Sequence, residues 1–325
     1  MDGTDFLSDR AFGVEIEAVG FDPYRANSIL MDSSRPVLLR CGMTAPQTPP
    51  DNRFEFWQIM HDDTVKAGSH LPPDAVFELA SPISQGANGW QDIAEVMQAM
   101  FDHGALVNDT SNLQVQMDLR DVWENPALRL AVKKAITEIY IVFEPGIDSI
   151  IRPRPYRHRY SRPLRDYFEP GKDGRFALQL VCDEINRCNE DDLEKLFTWP
   201  NAKPAVKFRG YKTAEYRAHQ GVLNPDRALG WLALCQGITE AGMQIAQGLS
   251  SLDLMMESAQ NPTTPDESLM CLLQFIGKPG LWPLLHAPEM MPRSAPVSMK
   301  PLKNTTRPGA RLGPQLFDPS RPERG

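Results

Sequence analysis

Hydrophobic and polar residues alternate in three short stretches of the chain, and this alternation predicts β-strands at 12–17, 113–118 and 214–219. In the first stretch, Glu15 and Glu17 would point to one face of a sheet. Shorter apolar runs predict two further strands, at 54–59 and 75–80. The strands therefore have a polar face and an apolar back.

Apolar residues at helical spacing predict helices that cover this apolar back. Their expected extents are 90–101, 125–143, 183–196, 225–249 and 269–276. The first helix has Asn88 near its N-cap and Gly104 near its C-cap, whereas Glu144, Pro145 and Gly146 are expected to end the second.

Two proline-rich stretches are expected to lie outside this regular structure. Residues 20–53 contain five prolines and one short apolar run, which is typical of a functional loop or lid with one strand in it. Residues 287–325 contain eight prolines and seven basic residues against three acidic ones, as in a disordered tail. We therefore predict one folded domain, 1–286, followed by this tail.

Composition and charge argue against several classes of protein. The net charge of -8 gives the chain no general electrostatic attraction to nucleic acid or to acidic membranes. The first ten residues carry three aspartates and no apolar signal region, and no later apolar run is long enough to span a bilayer. Five scattered cysteines indicate free thiols rather than a disulfide framework or a zinc site. A cytoplasmic protein is expected.

A basic stretch, 152–165, contains six arginines among prolines and tyrosines. Guanidinium groups bind oxyanions through two parallel hydrogen bonds, so this stretch suits a bound phosphate or carboxylate. A solvated basic loop or a nucleic-acid patch is the alternative. Charge by itself does not decide between them.

Polar residues from separate strands are expected to meet on the open face of the sheet. A lone Glu-x-Glu pair is usually a solvated strand edge, but here several strands contribute polar residues. These residues are Glu15, Glu17, Glu78, Gln114, Asp118, Glu215 and Arg217. Clustered carboxylates require cations, and with arginines nearby they indicate a two-metal site that handles phosphate. The predicted fold class is α+β, an antiparallel sheet with helices on one face and an open concave site face.

The chain resembles the amidoligase family of carboxylate–amine ligases, which is related to glutamine synthetase and glutamate–cysteine ligase. Each matching piece is short, but six of them occur in family order. The pieces are Phe12 to Glu17; Trp57 with Asp62, Asp63 and Thr64; Phe77 to Pro82; Gly104 and Ala105 before Leu113 to Asp118; Arg157 to Tyr160 with Pro163 and Leu164; and Glu215 to Arg217 with His219 and Gly221.

This resemblance implies a curved, glutamine-synthetase-like sheet and an ATP-dependent ligase that joins a carboxylate to an amine through an acyl phosphate. It assigns four acids to two magnesium ions, namely Glu15, Glu17, Glu78 and Glu215. Arg217 would stabilise the transferred phosphoryl group. Arg157, Arg159 and Tyr160 would contact ATP or the substrate carboxylate. The carboxylate, the amine acceptor (amino acid, polyamine, peptide or protein side chain) and the oligomeric state stay open.

One departure from the family pattern concerns Gln114 and Gln116, which stand where relatives carry His-x-His. The amide oxygen of Gln114 can still bind magnesium, although it is a neutral and weak ligand. The leading hypothesis is therefore an active ligase. The alternatives are a family member that binds nucleotide or peptide without turnover, and a two-metal hydrolase or nuclease.

Overall fold

A seven-stranded sheet lies at the centre of the fold. The computed structural model describes residues 4–40, 53–151, 161–168, 177–198, 203–210, 212–259, 262 and 264–289. The strands are β1 (Phe12–Val19), β2 (Val37–Leu39), β3 (Trp57–Met60), β4 (Val76–Ala80), β5 (Asn112–Asp118), β6 (Val206–Arg209) and β7 (Thr213–Gln220). Their order across the sheet is β2-β3-β4-β1-β5-β7-β6.

Strand pairing is antiparallel throughout the sheet except between β2 and β3, which run parallel. The predicted α+β class, with an open and mostly antiparallel sheet, is confirmed. Strands β1, β4, β5 and β7 match the predicted ones, whereas β3 starts later than expected because Arg53–Glu55 form a 3-10 turn. The short edge strand β6 was not predicted.

Helices cover the apolar back of the sheet. They are α1 (Pro23–Asp32), α2 (Gly86–Asp102), α3 (Arg120–Trp123), α4 (Pro126–Ser149), α5 (Leu178–Arg187), α6 (Glu190–Leu196), α7 (Pro225–Ala246), α8 (Leu252–Ala259), α9 (Pro265–Phe275) and α10 (Trp282–Leu285). Buried side chains of β1 such as Val14 and Ile16 belong to the same core as buried residues of α4 and α7. Tyr216 of β7 reaches α7, where its hydroxyl lies 2.8 Å from that of Thr239.

The helix α1 corrects the prediction that 20–53 is a loop with a single strand. The side chain of Asp22 accepts a hydrogen bond from the backbone N–H of Arg25 at 2.8 Å, and Pro23 occupies the first helical turn. An N-cap aspartate followed by proline is a standard helix start, and the number of prolines in this stretch obscured it. The strand expected in this stretch is β2, and residues 41–52 lie outside the described ranges.

Four of the predicted helices also differ in their boundaries from those in the structure. Helix α2 begins at Gly86 rather than near Asn88, and the helix predicted at 183–196 is two helices, because the Asn189 side chain caps α6. Helix α9 starts at Pro265, where a loop was predicted, with a capping box formed by Thr264 and Glu267. Helix α7 ends at Ala246, slightly before the predicted end.

Helix α4 continues through Glu144, Pro145 and Gly146, where it was predicted to end. Tertiary contacts explain this difference. The Glu144 carboxylate accepts hydrogen bonds from the backbone N–H groups of Leu164 at 2.7 Å and Arg165 at 2.8 Å. The missing side chain of Gly146 leaves room for the backbone of α9. Packing therefore outweighs the unfavourable helix propensity of proline and glycine here.

Four of the five cysteines lie in the described residues, and all four are free: Cys182 and Cys235 are buried, and Cys188 and Cys271 are half-buried. Within the same ranges, no helix has the length and apolar content required to cross a membrane. Residues 290–325 lie outside the described ranges, so the proposed tail and its boundary with the domain stay predictions.

We predict that Gly146→Ala destabilises the protein, although alanine normally favours a helix over glycine. A Cβ atom at Gly146 would lie 2.3 Å from the backbone nitrogen of Leu269, so α4 and α9 would have to separate. The expected loss is about 1–3 kcal/mol of unfolding free energy, measured by denaturant titration. Gly210→Ala, whose Cβ meets no atom within 4 Å, is the matched control and should change little. Equal stability of the two variants would contradict the prediction.

Candidate active site

Strand register places acidic and amide side chains next to each other on the polar face of the sheet. Glu17 of β1 lies directly opposite Glu78 of β4, and Glu15 lies opposite Gln114 of β5. On the next pair of strands, Gln116 lies opposite Glu215. The alternation expected from the sequence therefore brings these side chains onto one face.

Three carboxylates form a cluster that could hold a metal ion. One ligand oxygen from each of Glu17, Asp62 and Glu78 lies within 4.8 Å of the others. Asp62 comes from the loop after β3, and from the sequence it was named only as part of a family motif, not as a ligand. Its side chain also accepts a hydrogen bond from the backbone N–H of Thr64 at 2.6 Å, which fixes its position.

Burial and mutual repulsion favour the protonated forms of Glu15, Glu17 and Glu78. Burial, followed by the charge of Asp62, raises the pKa of Glu17 to about 7. Burial and then the charges of Glu15 and Glu17 raise the pKa of Glu78 well above its usual range. The pKa of Glu15 is raised by burial and by the charge of Glu215. A bound cation would remove the repulsion, so the cluster has the electrostatics of a cation site.

Amide groups of β5 hold the acids in place. The Asn112 backbone N–H and side-chain amide donate to Glu17 at 2.9 and 2.6 Å, and the Gln114 amide donates to the other oxygen at 3.1 Å. Gln116 donates to Glu15 at 2.6 Å. The site is therefore built before any ligand binds.

A second group in the same cavity carries positive charge. Glu215 is fully buried and accepts two hydrogen bonds from Arg209, at 2.7 and 2.5 Å, while Arg217 lies 2.9 Å from the same carboxylate. Burial would raise the pKa of Glu215, but the hydrogen bonds from Arg209 and the charge of Arg217 outweigh it and hold the pKa below its usual value. Arg209 lies on β6 and was missed together with that strand.

Gln114 connects the acidic and basic groups. Its amide nitrogen donates to Glu17, and its amide oxygen accepts a hydrogen bond from Arg217 at 2.5 Å. The oxygen proposed as a metal ligand is therefore used by an arginine in this conformation.

Two other residues named from the sequence, Asp118 and His219, lie away from the carboxylate cluster. Asp118 forms an ion pair with Arg120 at 2.8 Å rather than joining the carboxylate cluster. His219 packs against Trp231 of α7, with ring centroids 5.0 Å apart, because an irregularity in the register of β5 and β7 places it opposite the core residue Leu113. Arg157, Arg159 and Tyr160 lie outside the described residues.

The acidic and basic groups line one cavity of about 240 Å³. Its lining residues are Glu15, Glu17, Asp62, Thr64, Glu78, Asn112, Gln114, Lys203, Arg209 and Arg217. Burial and then the charges of Arg217 and Arg209 lower the pKa of Lys203, which places this lysine within the field of the two arginines. Oxygen ligands for a metal thus lie beside cations for a phosphate group.

Comparison with known proteins identifies the family. A family model described as "Putative amidoligase enzyme" matches residues 8–239, and the chain belongs to this family of amidoligase enzymes. No curated protein matches.

Among solved structures, the chain is similar to the crystal structure of a bifunctional glutathione synthetase from Pasteurella multocida. The two chains share 12% sequence identity with a TM-score of 0.39, and the match covers 87% of this chain. The match extends over 48% of the other chain, so this protein spans about half the length of that structure.

We predict that raised acid pKa values make the stability of the metal-free protein fall as pH rises. Glu17 binds a proton more tightly when folded, so unfolding free energy decreases between the unfolded-state pKa of 4.5 and the folded-state pKa of about 7, by at most about 3 kcal/mol. Magnesium binds the ionised carboxylates, so the rise in Tm that it causes should be larger at pH 8 than at pH 5.5.

The variant that tests this is Glu17→Gln, which should lose the magnesium-dependent rise in Tm. Glu138→Gln is the matched control, because burial also raises the pKa of Glu138 to about 7, but its carboxylate accepts a hydrogen bond from Asn186 and is not part of the cluster. A magnesium response that survives Glu17→Gln would show that the cation binds elsewhere.

Proposed function

We propose that the protein is an ATP- and magnesium-dependent ligase that joins a carboxylate to an amine through an acyl-phosphate intermediate. The observation that carries this proposal is the juxtaposition, in one cavity, of a carboxylate cluster and a group of cations. Membership of the amidoligase family supports an amide-bond ligation as the reaction. Phosphoryl transfer needs positioning and charge neutralisation, which such a cavity supplies.

The acidic side of the cavity fits magnesium. Its donors are carboxylate oxygens, which magnesium prefers, and the raised pKa values of Glu17 and Glu78 reflect repulsion that a divalent cation relieves. We assign Glu17, Asp62 and Glu78 as ligands, together with Glu15 if two ions bind. Magnesium held there would neutralise the negative charge of the ATP phosphates.

The basic side of the cavity suits the phosphates of ATP. Arg209 and Arg217 share Glu215 as a partner, so the three side chains together retain one positive charge, and Lys203 adds another. Arg217 is only 5% exposed, and its hydrogen bonds fix its guanidinium in place. Glu215, which the family resemblance assigns to a metal, is proposed here to position these two arginines.

In the proposed reaction, a carboxylate oxygen of the substrate attacks the γ-phosphorus of ATP. The bond between that phosphorus and its bridging oxygen to the β-phosphate breaks, and ADP leaves. The amine nitrogen then attacks the acyl carbon, loses a proton, and expels inorganic phosphate. Arg217 would offset the charge on the transferred phosphoryl group.

We predict that Arg217→Ala lowers ADP release by roughly 100-fold or more, because the transferred phosphoryl group would lose a fixed cation that offsets its charge. The measurement is a coupled ADP assay with ATP, magnesium and a panel of carboxylates and amines. Lys203→Ala should also lower the rate, and because Lys203 is exposed at the cavity edge this change leaves the core intact. Arg187→Ala, on the exposed surface of α5, is the control. Unchanged rates in both cavity variants would refute the assignment.

The hypothesis of binding without turnover keeps support from Gln114, which occupies the position of a family histidine and binds Arg217. Under that hypothesis, calorimetry detects magnesium–ATP binding while the full substrate panel yields neither ADP nor amide. We predict instead that the wild type turns over. Activity that arises only in Gln114→His would favour the binding hypothesis, since histidine supplies a stronger metal ligand.

A further inference from the structure

A second cavity of about 240 Å³ lies beside the active-site cavity on the polar face of the sheet. The two cavities share Glu15, so the second one opens next to the proposed metal ligands. Its lining residues are Ala11, Phe12, Gly13, Val14, Glu15, Phe54, Gln58, Ala80, Ser81, Ile83, Gln116, Asp118, Arg120 and Thr213. We call it the Gly13 pocket. None of the roles assigned above uses it.

Gly13 occupies an unusual position for glycine, because glycine weakens the interior of a strand and often marks a place that a ligand approaches closely. The backbone at Gly13 does not require glycine, since it is not among the residues with positive φ. The protein does not require it sterically either, because a Cβ atom at this position would have Ser81 Oγ as its nearest neighbour, at 3.9 Å. The space above Gly13 is therefore open to a ligand.

The walls of the Gly13 pocket combine apolar surface with a few fixed polar groups. Phe54 and Ile83 are 38% and 50% exposed and are held together by a backbone hydrogen bond from Ile83 N–H to Phe54 C=O at 2.9 Å. Arg40 donates to the Gln58 amide oxygen at 3.0 Å, so the Gln58 amide nitrogen is the group that would donate to a ligand. Asp118 and Arg120 neutralise each other. The pocket suits a small, mainly apolar molecule.

The direction of phosphoryl transfer indicates which substrate the Gly13 pocket would bind. The attacking and leaving oxygens lie roughly in line on opposite sides of the transferred phosphorus. Lys203, Arg209 and Arg217 attract the leaving ADP to the basic side of the active-site cavity, and Lys203 and the two arginines do not line the Gly13 pocket. The attacking carboxylate must then come from the opposite side, where Glu15 joins the two cavities.

We propose that the Gly13 pocket binds the carboxylate substrate and that this substrate is a small acid with an apolar chain. Its carboxylate lies at Glu15, beside the proposed magnesium site, and its chain lies over Gly13 between Phe54 and Ile83. This inference rests on the proposed function for the direction of transfer. The volume of about 240 Å³ restricts the acid to a few carbon atoms or one ring.

The test measures binding of phenylacetate and isovalerate to the full-length protein with magnesium, by saturation-transfer NMR, with benzylamine as the matched amine. Gly13→Leu should weaken phenylacetate binding about tenfold or more, because its side chain fills the pocket, whereas magnesium–ADP affinity measured by calorimetry should stay within about twofold. Thermal unfolding checks that the variant is folded. Unchanged phenylacetate binding in folded Gly13→Leu, no binding of either acid to wild type, or tighter binding of benzylamine would each overturn the proposal.

Two oppositely charged substitutions of Ile83, in the wall of the Gly13 pocket, provide a second and independent test. Ile83 is half exposed, so a charged residue is tolerated there. Both Ile83→Asp and Ile83→Lys remove the apolar contact and should weaken phenylacetate binding, but Ile83→Asp should weaken it more, because only the aspartate repels the carboxylate. Equal effects of the two changes would mean that no carboxylate binds nearby.

Failure of the proposed function gives a different result. In that case wild type forms no ADP from ATP with any acid and amine of the panel, while phenylacetate binding and its loss in Gly13→Leu still report on the pocket. If the enzyme turns over and Gly13→Leu does not change its preference among acids, only the assignment of the Gly13 pocket to the carboxylate substrate is overturned.

Discussion

The repulsion among buried carboxylates is the interaction on which the rest of this site depends. Glu17 and Glu78 face each other across neighbouring strands, and Asp62 closes the cluster from a loop. Removing such groups from water costs several kcal/mol per charge unless a partner compensates. The fold supplies amide donors from β5 but no cation within the cluster itself, among the described residues. Protonation of Glu17 and Glu78 or a bound metal would relieve this repulsion, so the rigid sheet carries a site whose stability depends on its ligand.

In the basic group, by contrast, the buried carboxylate already has cationic partners. Glu215 is buried, but two arginines hold it ionised, so its charge orients them rather than requiring a metal. Gln114 joins the two halves with one hydrogen bond to each. A histidine at this position could not donate and accept across the same gap in its charged form, because both ring nitrogens would then be donors. The glutamine therefore couples the positions of Glu17 and Arg217 independently of pH.

Much of this site could be predicted from alternation along single strands. Val14 and Ile16 are buried and Glu15 and Glu17 line the cavity, as a period of two requires. Asp62 could not be found that way, because a loop has no periodicity and its position depends on the pairing of β3 with β4. Strict alternation would place His219 on the same face as Glu215 and Arg217, but the extra residue in β7 reverses the alternation and turns His219 towards the core.

The remaining differences between prediction and structure have two causes. Some sequence patterns are too short to identify an element, and some local propensities are outweighed by packing. Strand β6 has only four residues, so its alternating pattern was not distinguished from a loop, and Arg209 was lost with it. Helix α4 continues through Pro145 because contacts made by Glu144 and Gly146 outweigh local propensity. Sequence patterns therefore predicted the sheet and most of the acids, but not the residues that depend on contacts between elements.

The parallel pairing of β2 with β3 has a consequence for how the site responds to its ligand. This pair forms one edge of the sheet, and the chain leaves β3 directly into the loop that carries Asp62. Edge elements open more readily than central strands, so Asp62 is the acid most easily separated from the other two. A cation bound by all three acids would therefore stabilise the conformation in which β2 and β3 are paired with the sheet. Pairing of these strands would in turn raise the affinity for the cation by the same free energy. The ordering of the outer strands and the occupancy of the proposed metal site would thus be thermodynamically linked.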